Sequence, residues 1–278
     1  MESAMKSLEE KMKNLTTFSK PEDNDADFTD EERKTITELK QLYLETLKLD
    51  VTMQRDIYKM EKSYEDRHNT IYEKRKKILD EFRKQNHGDS NENVKNFWLN
   101  VLKVACKELI NKNDEEILAF LSDVRSHLYV DDIVKFDIDF HFDKNEYFSN
   151  KVLKKTYFFN CLPDPKDPLL FDGAEIFKCE GCTIDWKTPK SRVKNSEPSF
   201  FDFFSPPTLP EDTDDDHYID IHTILNNDFE MGFYLKERVI PKAVIFFTGE
   251  IVDCQSTSES DEDSDTDEEE ASCNATGQ

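Results

Sequence analysis

Between Pro21 and Gly88 the chain contains neither proline nor glycine, so no strong helix breaker interrupts that span. From Thr29 to Lys84 apolar residues recur at helical spacing: Ile36, Leu39, Tyr43, Leu47, Met53, Ile57, Met60, Tyr64, Ile71, Ile78 and Phe82. Ile36, Tyr43, Asp50, Ile57, Tyr64, Ile71 and Ile78 lie seven apart, and only Asp50 among them is polar. Thr29-Asp30-Glu31-Glu32 places a capping hydroxyl and acids at the start, where the helix dipole favours them. Lys74, Arg75, Lys76, Lys77, Arg83 and Lys84 load the other end with the opposite sign. The span predicts a rod of roughly 80 Å, longer than a compact domain of this size needs.

A rod with an apolar seam must bury it against something. Ile36, Leu39, Tyr43, Leu47, Met53, Ile57, Met60, Tyr64, Ile71 and Ile78 are the expected dimerisation residues. Asp50, Arg67 and Lys74 fall near core positions, which argues against a regular parallel zipper. Antiparallel self-association is the simplest solution. The plainer alternative, a helix packed along its own globular domain, accounts less well for the length.

The formal net charge is −24, and 35% of residues are charged. That exceeds what solubility requires and favours a cationic macromolecular partner over nucleic acid or an anionic membrane. No apolar run approaches a membrane span. Residues 1–20 do not read as a signal peptide, so the six cysteines are expected as reduced thiols in the cytosol or nucleus. The sequons at Asn14 and Asn274 then carry no weight.

Gln85 to Asn93 is a polar break, after which the texture turns globular. Phe97, Trp98, Val101, Leu102 and Ala105 give one helix face. Asn113-Asp114-Glu115-Glu116 is expected to cap a second helix carrying Ile117, Leu118, Phe120, Leu121 and Val124. Val134, Phe136, Ile138, Phe140 and Phe142 alternate with polar residues, the period of a half-buried antiparallel strand. Further strands are expected at Lys151–Phe159 and Thr183–Lys187. An aromatic plug follows at Ser199–Pro207, then helices around Ile219–Leu225 and from Asp228 to Val239, and a last apolar stretch at Ala243–Phe247. Beyond about Asp253 there is no lysine, arginine or aromatic residue, and acids are dense, the composition of a disordered tail.

Six phrases together resemble the nucleosome assembly protein family of histone chaperones. They are Asn96-Phe97-Trp98-Leu99; Phe140-His141-Phe142; Asn145-Glu146-Tyr147-Phe148-Ser149-Asn150 with Thr156-Tyr157; Gly181-Cys182-Thr183-Ile184-Asp185-Trp186-Lys187; the plug ending in Pro206-Pro207; and Ile240-Pro241-Lys242-Ala243-Val244 running to Phe247-Thr248-Gly249-Glu250. The ending is similar to the nucleosome assembly branch rather than the related SET branch. The resemblance implies an α+β protein: a long dimerisation helix, then an antiparallel-sheet domain covered by helices, then a disordered acidic C-terminal tail. The expected division is a flexible acidic leader (1–28), the dimerisation helix and linker (29–92), an α/β histone-binding domain (93–253) and the tail (254–278). It also implies core-histone partners, chiefly the histone 2A–2B pair and secondarily the histone 3–4 pair. Members often carry a basic hairpin before the plug. Here Thr188 to Pro198 is short, with Lys190, Arg192 and Lys194, which leaves intrinsic nuclear import and higher oligomers in doubt. The chain ends away from Cys273, so no prenylation box is expected.

The acids expected to meet histone are Asp114, Glu115, Glu116, Asp214, Asp215, Asp216, Asp220, Asp228 and Glu230 on the domain. Asp137 and Asp139 are included, although a solvated strand face explains them better. The tail contributes Asp261, Glu262, Asp263, Asp265, Asp267, Glu268, Glu269 and Glu270. Acids at helix starts are also ordinary caps, and an acidic tail can simply solubilise. Cys179-Glu180-Gly181-Cys182 has half the spacing of a zinc knuckle but no second pair, so a structural turn is the better reading. No catalytic signature, metal or cofactor is expected.

Ile36, Leu39, Leu42 and Leu44 match leucine-rich export spacing, and the seam already accounts for most of them. Ser256, Ser258, Ser260, Ser264 and Thr266 each precede an acid by three residues, the acidophilic kinase pattern. An export receptor and such a kinase are therefore candidate partners. An export-like segment without a strong basic import segment points to the cytoplasm, with shuttling to the nucleus left open. The expectation is a non-enzymatic histone chaperone. Its rival is an acidic coiled-coil scaffold or transport adaptor.

Overall fold

The computed structural model describes residues 28–85, 92–164, 167–187, 198–210 and 216–250. Helix α1 (Asp30–Gln85) is one uninterrupted helix of 56 residues. It is opened by a reciprocal cap: the Glu32 backbone N–H donates to the Thr29 hydroxyl, and the Thr29 N–H and hydroxyl donate to the Glu32 carboxylate at 2.7 and 2.8 Å. These donors hold the Glu32 carboxyl below its usual value.

Three short helices follow, α2 (Glu92–Lys95), α3 (Phe97–Ala105) and α4 (Lys112–Leu118). A four-stranded antiparallel meander then runs β1 (Leu121–Val130), β2 (Val134–Phe142), β3 (Val152–Asn160) and β4 (Glu175–Glu180), in that spatial order. Helix α5 (Tyr218–Tyr234) continues through a π-helical turn, Leu235–Val239, and α6 (Ala243–Thr248) closes on Gly249 in the left-handed region.

The inner face of the sheet carries Val124, Leu128, Phe136, Ile138, Phe140, Leu153 and Tyr157, all essentially excluded from solvent. Trp98, Val101 and Leu102 of α3 and Ala243 and Phe246 of α6 join the same core. The plug, a 3-10 turn at Phe200–Phe204, seats Phe200 and Phe204 edge-on against Phe140 at 5.7 and 5.3 Å between ring centres. Gly232 lets α5 lie directly on β3, because a Cβ there would come within 2.2 Å of the Tyr157 ring.

The free edge of β1 is closed by side chains rather than by another strand. The Glu65 carboxylate accepts the Leu128 N–H at 2.8 Å, Asn69 and Arg83 donate to the carbonyls of Ser126 and Leu121, and Arg55 donates to that of Asp131. An unpaired strand edge is thereby covered.

Three expected elements fall differently. Leu121 and Val124 lie on β1, not on the second helix, which ends at Leu118 and is capped by Asn111. The Thr183–Lys187 segment is irregular apart from a bridge between Phe148 and Trp186, and the fourth strand precedes it at Glu175–Glu180. The two helices expected between Ile219 and Val239 are a single run. The leader, the 254–278 tail, the Lys190–Lys194 segment and the kinase-pattern residues Ser256, Ser258, Ser260, Ser264 and Thr266 lie outside the described residues, apart from Phe28 at the leader's end.

Candidate functional site

Helix α1 carries two apolar rows. Leu44, Val51, Tyr58, Glu65, Tyr72 and Leu79 repeat every seven residues on the face the chain itself covers. Arg75 anchors that face: it donates to the Ile240 carbonyl at 2.8 Å and stacks over Tyr72 and Trp98. The second row passes through Ile57, adjacent in sequence to Tyr58 and so about 100° away around the helix. Leu39, Tyr43, Met53, Ile57, Met60, Tyr64, Ile71 and Ile78 are all exposed there, from 40% at Ile57 to 67% at Ile78. Leu42 and Leu49 widen the row on its far side. A continuous apolar stripe of this length needs a cover.

Two residues leave the expected seam. Leu47, 5% exposed, is covered by its own chain, as is Leu44 of the export-like set at 2%. Ile36 is half-buried. Of the export-like set, only Leu39 and Leu42 are exposed in the folded chain, so an export receptor cannot read Leu44 without displacing it.

Several of the expected histone-binding acids are engaged internally, and this corrects the sequence reading. Asp114 is fully buried: its carboxylate accepts the Asn111 N–H, the Ser199 hydroxyl at 2.7 Å and the Phe200 N–H at 2.8 Å. It caps α4 and pins the plug, so it is unavailable to a partner. Asp137, 5% exposed, takes the Lys154 ammonium at 2.6 Å and the Thr156 hydroxyl at 2.8 Å. Asp139 lies beside the same ammonium at 3.2 Å and half-buried opposite His127. Asp228 accepts from Lys155, itself excluded from solvent, at 2.6 Å and from the Tyr157 hydroxyl at 2.8 Å. Burial, then the Asp228 charge, pushes the Tyr157 phenol well up.

Glu116, Asp216, Asp220 and Glu230 remain exposed. Glu115 is half-buried and pairs with Lys103 at 2.7 Å. Asp216, Asp220 and Glu230 lie on α5 and its approach, interleaved with the exposed apolar residues Ile219, Ile224 and Phe233. That mixture suits a partner surface both basic and apolar. Ile219 and Ile224 lie on the helix their spacing predicts but point outward, which the spacing alone does not reveal. Asp214, Asp215 and the tail acids Asp261, Glu262, Asp263, Asp265, Asp267, Glu268, Glu269 and Glu270 lie outside the described residues.

Cys179 lies near the end of β4 and Cys182 on the irregular segment just after it, rather than together in a turn. The Cys182 sulfur accepts the Lys154 N–H at 3.2 Å, and burial pushes the Cys179 thiol up to about 12. Gly181 is there because a Cβ would collide with the Phe204 carbonyl of the plug. Among the described residues no cluster of His, Cys, Asp or Glu could hold a metal ion, and no helix is long and apolar enough to cross a membrane.

The architecture is thus a long, half-bare helix joined to a helix-covered antiparallel meander with an acidic outer helix. The family model described as "Nucleosome assembly protein (NAP)" matches residues 34–196 and 188–250, and the chain belongs to that family. Nucleosome assembly protein 1-like 1 of Rattus norvegicus is 40% identical over 183 residues, 58% of this chain and 46% of that protein. The human protein of the same name is 40% identical over 184 residues, with the same shares. The chain therefore spans about half the length of the curated relatives it matches. Among solved structures, Nucleosome Assembly Protein 1 from Plasmodium knowlesi covers 81% of this chain and 100% of its own, at 28% identity and TM-score 0.58. A malaria parasite nucleosome assembly protein covers the same shares at 27% identity and TM-score 0.57.

Proposed function

We propose that this chain is a histone chaperone that acts without catalysis. It holds core histones, chiefly the histone 2A–2B pair and also the histone 3–4 pair, for transport and nucleosome assembly. The observation that carries this reading is the family match across residues 34–250. The exposed mixture of acids and apolar side chains on α5 supports it. The binding residues we assign are Glu115, Glu116, Asp216, Asp220 and Glu230 on the domain, with Asp214, Asp215 and the acids of the tail. Coulombic attraction sets the encounter rate and weakens with salt, while Ile219, Ile224 and Phe233 supply contacts that a merely acidic surface lacks.

The exposed stripe of α1 supports a homodimer with two such surfaces. We assign the division of labour as leader (1–28), dimerisation helix and linker (29–92), histone-binding domain (93–253) and acidic tail (254–278). Transit is cytoplasmic with shuttling to the nucleus, and an acidophilic kinase acting on the tail would deepen its charge. The same stripe would serve a coiled-coil scaffold, the rival reading.

Sedimentation velocity of the full chain, alone and with the histone 2A–2B pair near physiological salt, decides between them. The expected result is a dimer that gains a defined histone mass, with affinity reduced at least about tenfold when Asp216, Asp220 and Glu230 are changed to Lys. Deleting residues 254–278 should weaken binding without abolishing it. A dimer that treats histones no differently from an unrelated basic protein of equal charge would leave the scaffold reading standing.

A further inference from the structure

The exposed row of α1 repeats with alternating steps of three and four residues from Leu39 to Ile78, the spacing of a two-helix seam roughly 60 Å long. Its charged members are Asp50, Arg67 and Lys74. Asp50 stands eight residues before Tyr58, and Arg67 stands eight after Lys59, so the two mirror each other about the row's midpoint. Tyr43 and Lys74 mirror each other about the same point, as do the apolar ends Leu39 and Ile78. Asp50 and Arg67 are both exposed, and Asp50 forms no ion pair among the described residues. Arg67 lies over the Tyr64 ring at 4.9 Å, so its guanidinium is already held along the stripe.

We propose that, in the homodimer formed along this stripe, Asp50 meets the partner's Arg67 twice across a two-fold axis between Tyr58 and Lys59, and that this pair selects the register. The proposal rests on reading the stripe as a homodimer seam and adds what selects its geometry. Two antiparallel helices centred on that axis bring each residue opposite its mirror image. Asp50 then meets the partner's Arg67, Tyr43 presents its ring to the partner's Lys74, and Ile57 packs on the partner's Met60. A parallel in-register pair would instead set Asp50 against Asp50 and Arg67 against Arg67. A slip of one heptad one way would set Asp50 on Met60 and Arg67 on Tyr43, and the other way would pair Asp50 with Lys74 but leave Arg67 against Ile57. The interruptions that spoil a regular zipper are thus the elements that reject the wrong pairings. The row the chain covers for itself lies about 100° away around the helix, so a partner on the exposed row displaces none of those contacts.

Charge exchange tests it on the full-length protein. Asp50→Arg alone or Arg67→Asp alone places like charges together twice, and each should raise the dimer dissociation constant roughly ten- to a hundredfold. The double variant Asp50→Arg/Arg67→Asp recreates both pairs with reversed sign and should return to within about threefold of the parent. Native mass spectrometry of mixtures gives a second readout. The two single variants should prefer each other over themselves, and the double variant should refuse the parent. Both positions are exposed, and matching circular dichroism spectra would show that the helix persists. A parent dimer whose single variants weaken without rescue in the double variant would overturn the pairing while leaving the seam intact. A parent that sediments as a monomer would overturn the seam and the pairing together.

Discussion

Replacing Lys155 with Met probes the joint on which the acidic helix hangs. Lys155 is excluded from solvent on the inner face of β3. Its ammonium donates at 2.6 Å both to Asp228 of α5 and to the Phe203 carbonyl of the plug, and lies 4.5 Å from the centre of the Phe203 ring. Methionine fills nearly the same volume, so packing is conserved and the loss is electrostatic. Asp228, its side chain 12% exposed, loses its only ammonium and keeps the neutral Tyr157 hydroxyl and Cys179 thiol, and the Phe203 carbonyl loses its donor. Removing one member of a buried pair costs about 3–5 kcal/mol, a large share of the ~5–15 kcal/mol that holds a typical domain together. Asp228→Asn should cost a comparable amount by stranding the ammonium. The double variant should cost less than the two single changes combined, with a coupling of about 1–3 kcal/mol. Urea unfolding followed through Trp98 and Trp186 fluorescence measures all three. A Lys155→Met variant within about 0.5 kcal/mol of the parent, or strict additivity of the pair, would refute the joint.

Two further outcomes follow from buried groups. Burial pushes the His141 imidazole below its ordinary 6.5, with Asp123 and Asp139 opposing and Arg125 and Lys76 reinforcing. The unfolded chain therefore takes up this proton first, and stability should be lost as pH falls from about 6.5 through the depressed folded value. Asp123 is raised above 3.8 by burial against the pull of Arg125 and Arg75, and it titrates with the opposite slope. Comparing His141→Gln with the parent isolates the histidine: the variant should show a flatter stability profile between about pH 7 and 5, and identical profiles would contradict the assignment. Gly232→Ala should destabilise by about 1–3 kcal/mol, because the added carbon meets a Tyr157 ring held by Asp228 and unable to swing aside. A neutral thermal melt would show that α5 is free to lift.

The sequence and the structure agree most closely where the signal is local. Helix α1 was legible because a stretch without proline or glycine, capped by Thr29 and Glu32, leaves the backbone one regular option. Which of its residues look outward was not. Leu47 sits at helical spacing from Leu39 and Tyr43, and periodicity alone cannot separate two apolar rows a quarter-turn apart. Strand β1 was lost for a related reason. Ile117, Leu118, Leu121 and Val124 fit helical spacing, and only pairing with Val134–Phe142 turns the second half of that run into a strand. The site suffered most from distant partners. Asp114, Asp137 and Asp228 read as surface charge until Ser199, Lys154 and Lys155 arrive from elsewhere in the chain. Among the described residues Asp216, Asp220 and Glu230 meet no such partner and stay exposed on α5 and its approach.

The closure of the β1 edge by Arg55, Glu65, Asn69 and Arg83 has a kinetic corollary. These residues, with Tyr58, Arg75 and Leu79, bind the helix to its own sheet, and none belongs to the bare row through Ile57. A neighbouring molecule on that row can therefore come and go while every tie between helix and sheet stays in place. In the proposed dimer, subunit exchange and domain unfolding are then separate events with separate barriers, and a released copy keeps the exposed face of α5 intact.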